Sequence, residues 1–209
     1  GGMGRVYEGF DLSLHRRVAV KVLARAAPPE VKERFAREGR SLASLEHQNV
    51  VQVHAAGVSP EGTPFIVMKL LAAKTLTQWR GGAAVDADRV LPVLRQLSSA
   101  IDALHARGII HRDIKPANVM IDESGKVTLV DLGVALGQGP RLTQVGLVVG
   151  TVDFMSPEQL AGDALSPATD LYALGLLTSE LLVGPRRLSL LEREQELAAR
   201  FSGYAPRID

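Results

Sequence analysis

Short apolar runs alternate with polar connections in the segment 109–133, which reads IIHRDIKPANVMIDESGKVTLVDLG. The apolar runs are 109–110, 119–121 and 127–130, and the DESG stretch before the last run has turn chemistry. The pattern predicts three short strands joined by a polar loop and a turn. Because charged side chains on short connections between buried strands are held in place, the segment predicts a preorganised site.

Four polar side chains of this segment fit the chemistry of phosphoryl transfer. Asp113 can accept a proton from a hydroxyl, and Lys115 can neutralise charge on a transferring group. Asn118 and Asp131 carry oxygen atoms of the kind that Mg²⁺ prefers. An ordinary polar loop is the simpler alternative for any one of these residues. The ordered set HRD-x-K-x-x-N followed by D-L-G makes that alternative the weaker interpretation of the whole.

These motifs resemble those of the protein kinase family, in the Hanks-type (eukaryotic-like) form of bacterial serine/threonine kinases. The resemblance implies that Asp113 is the catalytic base, that Lys115 contacts the γ-phosphate of ATP, and that Asn118 and Asp131 hold Mg²⁺ or Mn²⁺. A lysine two residues after the aspartate is the serine/threonine form of the loop, whereas tyrosine kinases usually differ there. The resemblance covers about residues 1–184.

The chain opens with Gly-Gly-Met-Gly, where the lack of Cβ atoms lets backbone N–H groups approach phosphate oxygens. Alone, this stretch would indicate a plain turn. The resemblance implies the glycine-rich loop of a nucleotide site, with the base beside Met68 and bonded by the backbone of Lys69 and Leu71. The family often has an acidic residue where Lys69 stands. The nucleotide-binding residues implied in this way are Gly1, Gly2, Gly4, Val6, Ala19, Lys21, Met68, Lys69, Leu71 and Met120.

Lys21 lies in the run 18–23, VAVKVL, whose alternation predicts a strand with Lys21 and Ala19 on one face. A lysine at a sheet edge is the simpler alternative for such a residue. The following predicted helix carries an apolar stripe of Val31, Phe35, Leu42 and Leu45. Glu38 falls on the same stripe, where a carboxylate is costly unless paired, so we expect an ion pair with Lys21. The resemblance implies the same catalytic pair, which would hold the α- and β-phosphates.

The motif GTVDFMSPEQL at residues 151–161 resembles the end of a kinase activation loop. The resemblance implies that Thr151 helps to hold the substrate hydroxyl, and that Arg112 receives a phosphate attached to the loop, with Thr143 as the phosphosite. Asp170 resembles the residue that anchors the catalytic loop near His111. We expect a short helix capped by Ser156, and a further helix over 188–201 that does not match the family.

The resemblance implies an α+β, bilobal fold, with a small β-rich lobe containing one helix and a larger, mainly helical lobe. We expect a partial kinase domain over 1–209, divided into a small lobe at 1–68, a hinge at 69–76 and a large lobe at 77–209. The chain begins inside the glycine-rich motif, so we expect it to be a truncated segment of a longer reading frame.

The function predicted from the sequence is an ATP-dependent protein serine/threonine kinase regulated by autophosphorylation. The alternatives are a catalytically weak fragment or pseudokinase-like binding module, and a small-molecule phosphotransferase. The net charge of +1 gives no reason to expect binding to nucleic acid or to an acidic membrane. The absence of cysteine excludes disulfides and thiolate metal sites. We expect a cytoplasmic domain that acts on protein substrates and can dimerise, with any membrane anchor outside this segment.

Overall fold

The structure is a computed structural model that describes residues 4–24, 27–131 and 152–184. Short 3₁₀ turns cover Pro116–Asn118 and Val152–Phe154. The strands are β1 (Gly4–Asp11), β2 (Arg16–Leu23), β3 (Val53–Val58), β4 (Pro64–Lys69), β5 (Lys74–Thr75), β6 (Val119–Ile121) and β7 (Val127–Leu129). The α-helices are α1 (Pro29–Ala43), α2 (Leu76–Arg80), α3 (Ala87–His105), α4 (Pro157–Ala161) and α5 (Pro167–Val183).

The first half of the chain forms an antiparallel sheet in the order β1-β2-β4-β3, with α1 packed against it. Phe35 of α1 is fully buried, as the apolar stripe of this helix requires. Gly39 lets the helix lie close to the sheet, because a Cβ there would stand 3.0 Å from both Ala56 and Ile66. This arrangement places one helix against a small β-rich lobe.

The second half is mainly helical. Helices α3 and α5 pack together through fully buried residues such as Leu97, Ile101 and Leu177. A small second sheet, in the order β5-β6-β7, lies against α3 through β7. The α+β, bilobal architecture expected from the sequence is therefore confirmed. None of the helices in the described ranges combines the length and apolar character needed to span a membrane.

Asn49, in the loop after α1, joins the two halves of the molecule. Its buried side chain donates hydrogen bonds to Val127 O at 2.7 Å and Gln96 Oε1 at 3.0 Å. Its own carbonyl accepts a hydrogen bond of 2.8 Å from Leu129 N, and Val51 N donates to Leu129 O at 2.9 Å. The end of α1 is thus anchored to α3 and β7.

Two segments differ from the strands that their apolar character predicts. Ile109 and Ile110 form no strand; Ile109 N donates to Leu104 O, and His111 N, just after the run, donates to the Asp170 carboxylate, so these backbone groups are satisfied outside a ladder. The apolar character of 50–58 would extend a strand over the whole range, but β3 begins at Val53 because Val50 pairs with Leu129 instead. The predicted helix at 188–201 lies outside the described residues.

Helices α2 and α4 begin with the same local device. Thr75 caps α2 and Ser156 caps α4, and in each the glutamine three residues on completes a capping box. The cap predicted at Ser156 is therefore confirmed. Gln78 is exposed and Gln159 is partly buried, so the two glutamines sit in different surroundings.

Candidate active site

The Asp113 carboxylate lies at the centre of a set of fixed donors. Lys115 Nζ stands 2.9 Å from Oδ1 and 2.8 Å from Oδ2, and Asn118 Nδ2 donates to Oδ2 at 2.7 Å. The same amide also donates to the Asp113 carbonyl at 2.8 Å. The Asp113 side chain is only 15% exposed, so its geometry is largely set by the protein. The Asp113 carboxylate and the Lys115 ammonium are thus held together, and their roles as base and phosphate-binding cation stay predictions.

Asp170 holds the backbone of the loop that contains Asp113. Its fully buried carboxylate accepts hydrogen bonds of 2.8 Å from the backbone N–H groups of His111 and Arg112. His105 Nε2 lies 2.7 Å from the same carboxylate, so this histidine has a structural role. These bonds hold the backbone just before Asp113, where Arg112 has the uncommon φ of +68°. The anchoring role predicted for Asp170 is confirmed.

His111 is completely buried and bonded on both ring nitrogens. Nδ1 accepts from Asp113 N at 3.2 Å, so Nε2 carries the proton that bonds Val130 O at 3.2 Å. Burial lowers the pKa of His111 below its ordinary value, although the carboxylates of Asp170 and Asp113 act in the opposite direction. The ring is therefore a neutral spacer between the catalytic loop and the end of β7.

The expected ion pair between Lys21 and Glu38 is not formed. Lys21 Nζ bonds Asp131 instead, and Glu38 Oε1 lies 3.6 Å from Arg112 NH1. The sequence correctly indicates that both partly buried charges need partners, but it cannot rank the carboxylates that surround Lys21. In this fold Asp131 is the one within reach, and Arg112 supplies the cation for Glu38.

Asn118 and Asp131 suit a divalent cation by their chemistry. Asn118 uses its amide nitrogen on Asp113, which leaves the amide oxygen as a ligand, and the Asp131 side chain is 39% exposed. Asp131 also has a positive φ of +57°, a conformation that is common at active sites. No group of three or more His, Asp or Glu side chains in the described ranges could hold a metal. Mg²⁺ usually takes only one or two protein oxygen ligands and completes its coordination with phosphate oxygens and water, which this pair of residues would allow.

Most of the predicted nucleotide residues that the structure describes lie on β1, β2 and β4 of the small sheet, whereas Met120 lies on β6. Ala19 pairs with Met68 across β2 and β4, and Val6 pairs with Lys21 across β1 and β2. A side chain at Gly4 would place its Cβ 2.6 Å from Val22 O, so this strand end requires glycine. The other members of the predicted set that the structure describes are Lys69, Leu71 and Met120.

Lys69 N donates to Gln52 O at 2.9 Å, so a backbone contact from Lys69 to a base would use its carbonyl. Other predicted residues lie outside the described residues; these are Gly1, Gly2, Thr143 and Thr151.

Two contacts at the start of α4 were not predicted. Glu158 accepts a hydrogen bond of 2.6 Å from the Thr169 hydroxyl. Burial raises the pKa of Glu158, but hydrogen bonds from Thr169, its own backbone and Ser156 outweigh this and hold it below its ordinary value. Gln159 Nε2 donates to the Arg112 carbonyl at 2.8 Å. The Ser-x-x-Gln spacing signals the capping box, whereas nothing in the sequence signals the long-range bond.

The protein kinase domain model matches residues 1–203 of this sequence. This chain belongs to the protein kinase family. It is 39% identical over 194 residues to the serine/threonine-protein kinase PknA of Mycobacterium tuberculosis, covering 89% of this chain and 45% of PknA. It is also 39% identical over 193 residues to the kinase pkn2 of Myxococcus xanthus, covering 88% of this chain and 23% of pkn2.

The kinase chain thus spans less than half the length of these curated relatives. A crystal structure of Rad53 in complex with AMP-PNP has the same fold, with a TM-score of 0.74 and 22% identity. The likeness covers 97% of this chain and 51% of the Rad53 chain. Membership of the family confirms the resemblance read from the HRD and DLG motifs. Kinases of this family use ATP and a divalent metal ion.

Proposed function

We propose that this chain is a protein serine/threonine kinase that transfers the γ-phosphate of ATP to hydroxyl groups of protein substrates. The observation that carries this proposal is the Asp113 carboxylate, held by Lys115 and Asn118 at 2.7–2.9 Å. The oxygen of the substrate hydroxyl bonds to the γ-phosphorus, and Asp113 accepts the proton that this hydroxyl loses. The bond from phosphorus to the β–γ bridging oxygen breaks, and ADP leaves. Lys115 neutralises charge on the phosphoryl group in transit.

Asn118 and Asp131 would hold the divalent ion, for which we propose Mg²⁺ with Mn²⁺ as a substitute. When bound, the ion neutralises the phosphate oxygens and aligns them for in-line transfer. The chain's own contribution is to fix the two ligand oxygens. Asn118 is fixed by its bonds to Asp113, and Asp131 is fixed by Lys21. Lys21 would also bind phosphate oxygens, which requires it to share or exchange its contact with Asp131.

We further propose that residues 1–68 form the small lobe, 69–76 the hinge, and 77–209 the large lobe. The base of ATP would lie between Ala19 and Met68 on one side and Met120 on the other, below the glycine-rich loop. We place this domain in the cytoplasm, where ATP and protein substrates are available, and propose that two kinase domains can pair during autophosphorylation. Relatives named serine/threonine-protein kinases support the choice of acceptor.

The test is transfer of labelled phosphate from Mg-ATP to a generic protein acceptor, followed by acid hydrolysis to identify the phosphoamino acid. Phosphoserine or phosphothreonine, lost in Asp113→Asn, is the expected result. Label on a free sugar or an aminoglycoside but not on protein would instead identify a small-molecule phosphotransferase. Nucleotide binding with no transfer to any acceptor would identify a pseudokinase-like binding module.

A further inference from the structure

The side-chain amide of Gln159 connects two separate parts of the active site. Its oxygen accepts a hydrogen bond of 3.0 Å from Ser156 N, within the capping box of α4. Its nitrogen donates to the Arg112 carbonyl at 2.8 Å, across 47 residues of sequence. A flipped amide would face Ser156 N–H with a donor and the Arg112 carbonyl with an acceptor. The two partners therefore fix one orientation of the group.

The carbonyl that Gln159 holds belongs to the peptide that immediately precedes Asp113. The N–H of this peptide bonds His111 Nδ1 at 3.2 Å, so the peptide is gripped on both sides. Arg112 has a φ of +68°, a conformation that is unfavourable for a residue with a Cβ. Such a conformation persists only where surrounding contacts enforce it. Asp170 enforces it from the amide side of Arg112, and Gln159 does so from the carbonyl side.

Resting on the kinase function proposed above, we propose that Gln159 is a positioning residue for phosphoryl transfer. It holds the peptide before Asp113 against the segment that leads into α4. The Asp113 carboxylate and the segment expected to bind the protein acceptor then keep a fixed position relative to each other. The side-chain amide of Gln159 bonds Ser156 N and the Arg112 carbonyl, so we expect its loss to lower kcat and to leave nucleotide affinity unchanged.

A glutamine at this position of a capping box needs no such second contact. Gln78 occupies the matching place in α2: its side-chain oxygen accepts from Thr75 N at 2.9 Å, and its backbone N–H donates to Thr75 Oγ1 at 3.2 Å. Glutamate serves equally well at this position of a capping box, so Gln→Glu keeps the cap at either site. At 159 alone, the substitution replaces a donor to the catalytic loop with a carboxylate. Gln78→Glu is therefore a matched control.

The experiment compares Gln159→Glu, Gln159→Met and Gln78→Glu with the parent protein. We expect both variants at 159 to lower kcat for a protein acceptor roughly 5- to 100-fold, since each leaves a partly buried carbonyl without its donor. The dissociation constant of Mg-ATP should stay within about twofold of the parent value. We also expect faster amide hydrogen exchange in the peptide covering 109–118 for both variants. Gln78→Glu should match the parent in all three measurements.

A kcat within twofold of the parent for both variants at 159 would overturn the proposal. So would unchanged hydrogen exchange in the 109–118 peptide. A loss of activity with equal loss of nucleotide binding would show a general structural defect instead. If the parent itself transfers no phosphate to any protein, the kinase assignment fails. The hydrogen exchange comparison then still decides whether Gln159 holds the catalytic loop.

Discussion

Arg80 at the end of α2 and Glu180 in α5 form an ion pair inside the helical lobe. The Arg80 side chain is 7% exposed and the Glu180 side chain is 21% exposed. By contrast, the pair between Arg17 and Glu8 in the β1–β2 hairpin is 66% and 53% exposed. The two pairs therefore have the same chemistry in very different surroundings, which predicts different energetic consequences.

We expect Glu180→Gln to lower the free energy of unfolding by about 3–5 kcal/mol, because it leaves the buried Arg80 charge without its counter-ion. Glu8→Gln should cost less than about 1 kcal/mol, because an exposed pair contributes little. Urea denaturation of both variants measures the difference. Equal and small losses would show that water reaches Arg80 as readily as it reaches Arg17.

Asp113→Asn is expected to reduce kcat roughly 10²- to 10⁴-fold, since an amide cannot accept the proton of the substrate hydroxyl. Asparagine keeps the size of the side chain, so Mg-ATP affinity should change little. Steady-state kinetics with a peptide acceptor, together with calorimetric titration of nucleotide, separate the two effects. Near-native turnover in the variant would remove Asp113 from the mechanism.

The contact between Lys21 and Asp131 predicts a specific energetic coupling. In the nucleotide-free protein, a double-mutant cycle of Lys21→Met and Asp131→Asn should give a coupling free energy of about 0.5–3 kcal/mol. The matched cycle of Lys21→Met and Glu38→Gln should give less than about 0.5 kcal/mol. Thermal or urea unfolding supplies all the values. A larger coupling between Lys21 and Glu38 would mean that the pair expected from the sequence dominates in solution.

Burial of neutral His111 predicts a loss of stability in mild acid. Its pKa in the folded state lies below the ordinary value of 6.5, so the unfolded chain takes up a proton that the folded protein does not. The free energy of unfolding should therefore fall as pH drops through and below about 6.5. His111→Gln should flatten this slope. Melting temperatures between about pH 5 and 8 measure it, and identical slopes in the parent and the variant would contradict the expectation.

Autophosphorylation should occur between residues 134 and 149, with Thr143 modified first. A phosphate there would compete with Glu38 for Arg112, which stands 3.6 Å from that carboxylate. Mass spectrometry of active protein should find the modified peptide, and Thr143→Ala should lower activity. Full activity in that variant, with no phosphate in the loop, would exclude this form of regulation.

The parts of the candidate site that could be predicted from the sequence are those formed by residues close together in the chain. Asp113, Lys115 and Asn118 lie within six residues, so their spacing alone brings them together, and in the structure both other side chains contact the Asp113 carboxylate. The partners of Lys21 and Glu38 were predicted wrongly, because Asp131 and Arg112 lie far from them in sequence and no local pattern shows that they come within reach. The bond from Gln159 to Arg112 was missed because it depends on how α4 docks, which no local pattern encodes.

The anchor at Asn49 determines how α1 can move. Any rotation of the helix that keeps the bonds of Asn49 to Val127 and Gln96 must turn about its C-terminal end. At 1.5 Å per residue, Glu38 is about 8 Å from that end and Glu30 is about 20 Å from it. A rotation of about 10° therefore displaces Glu38 by about 1.4 Å and the start of the helix by about 3.5 Å. A partner that binds the first turn of α1 would thus move about 2.5 times as far as Glu38, whose contact with Arg112 it would change.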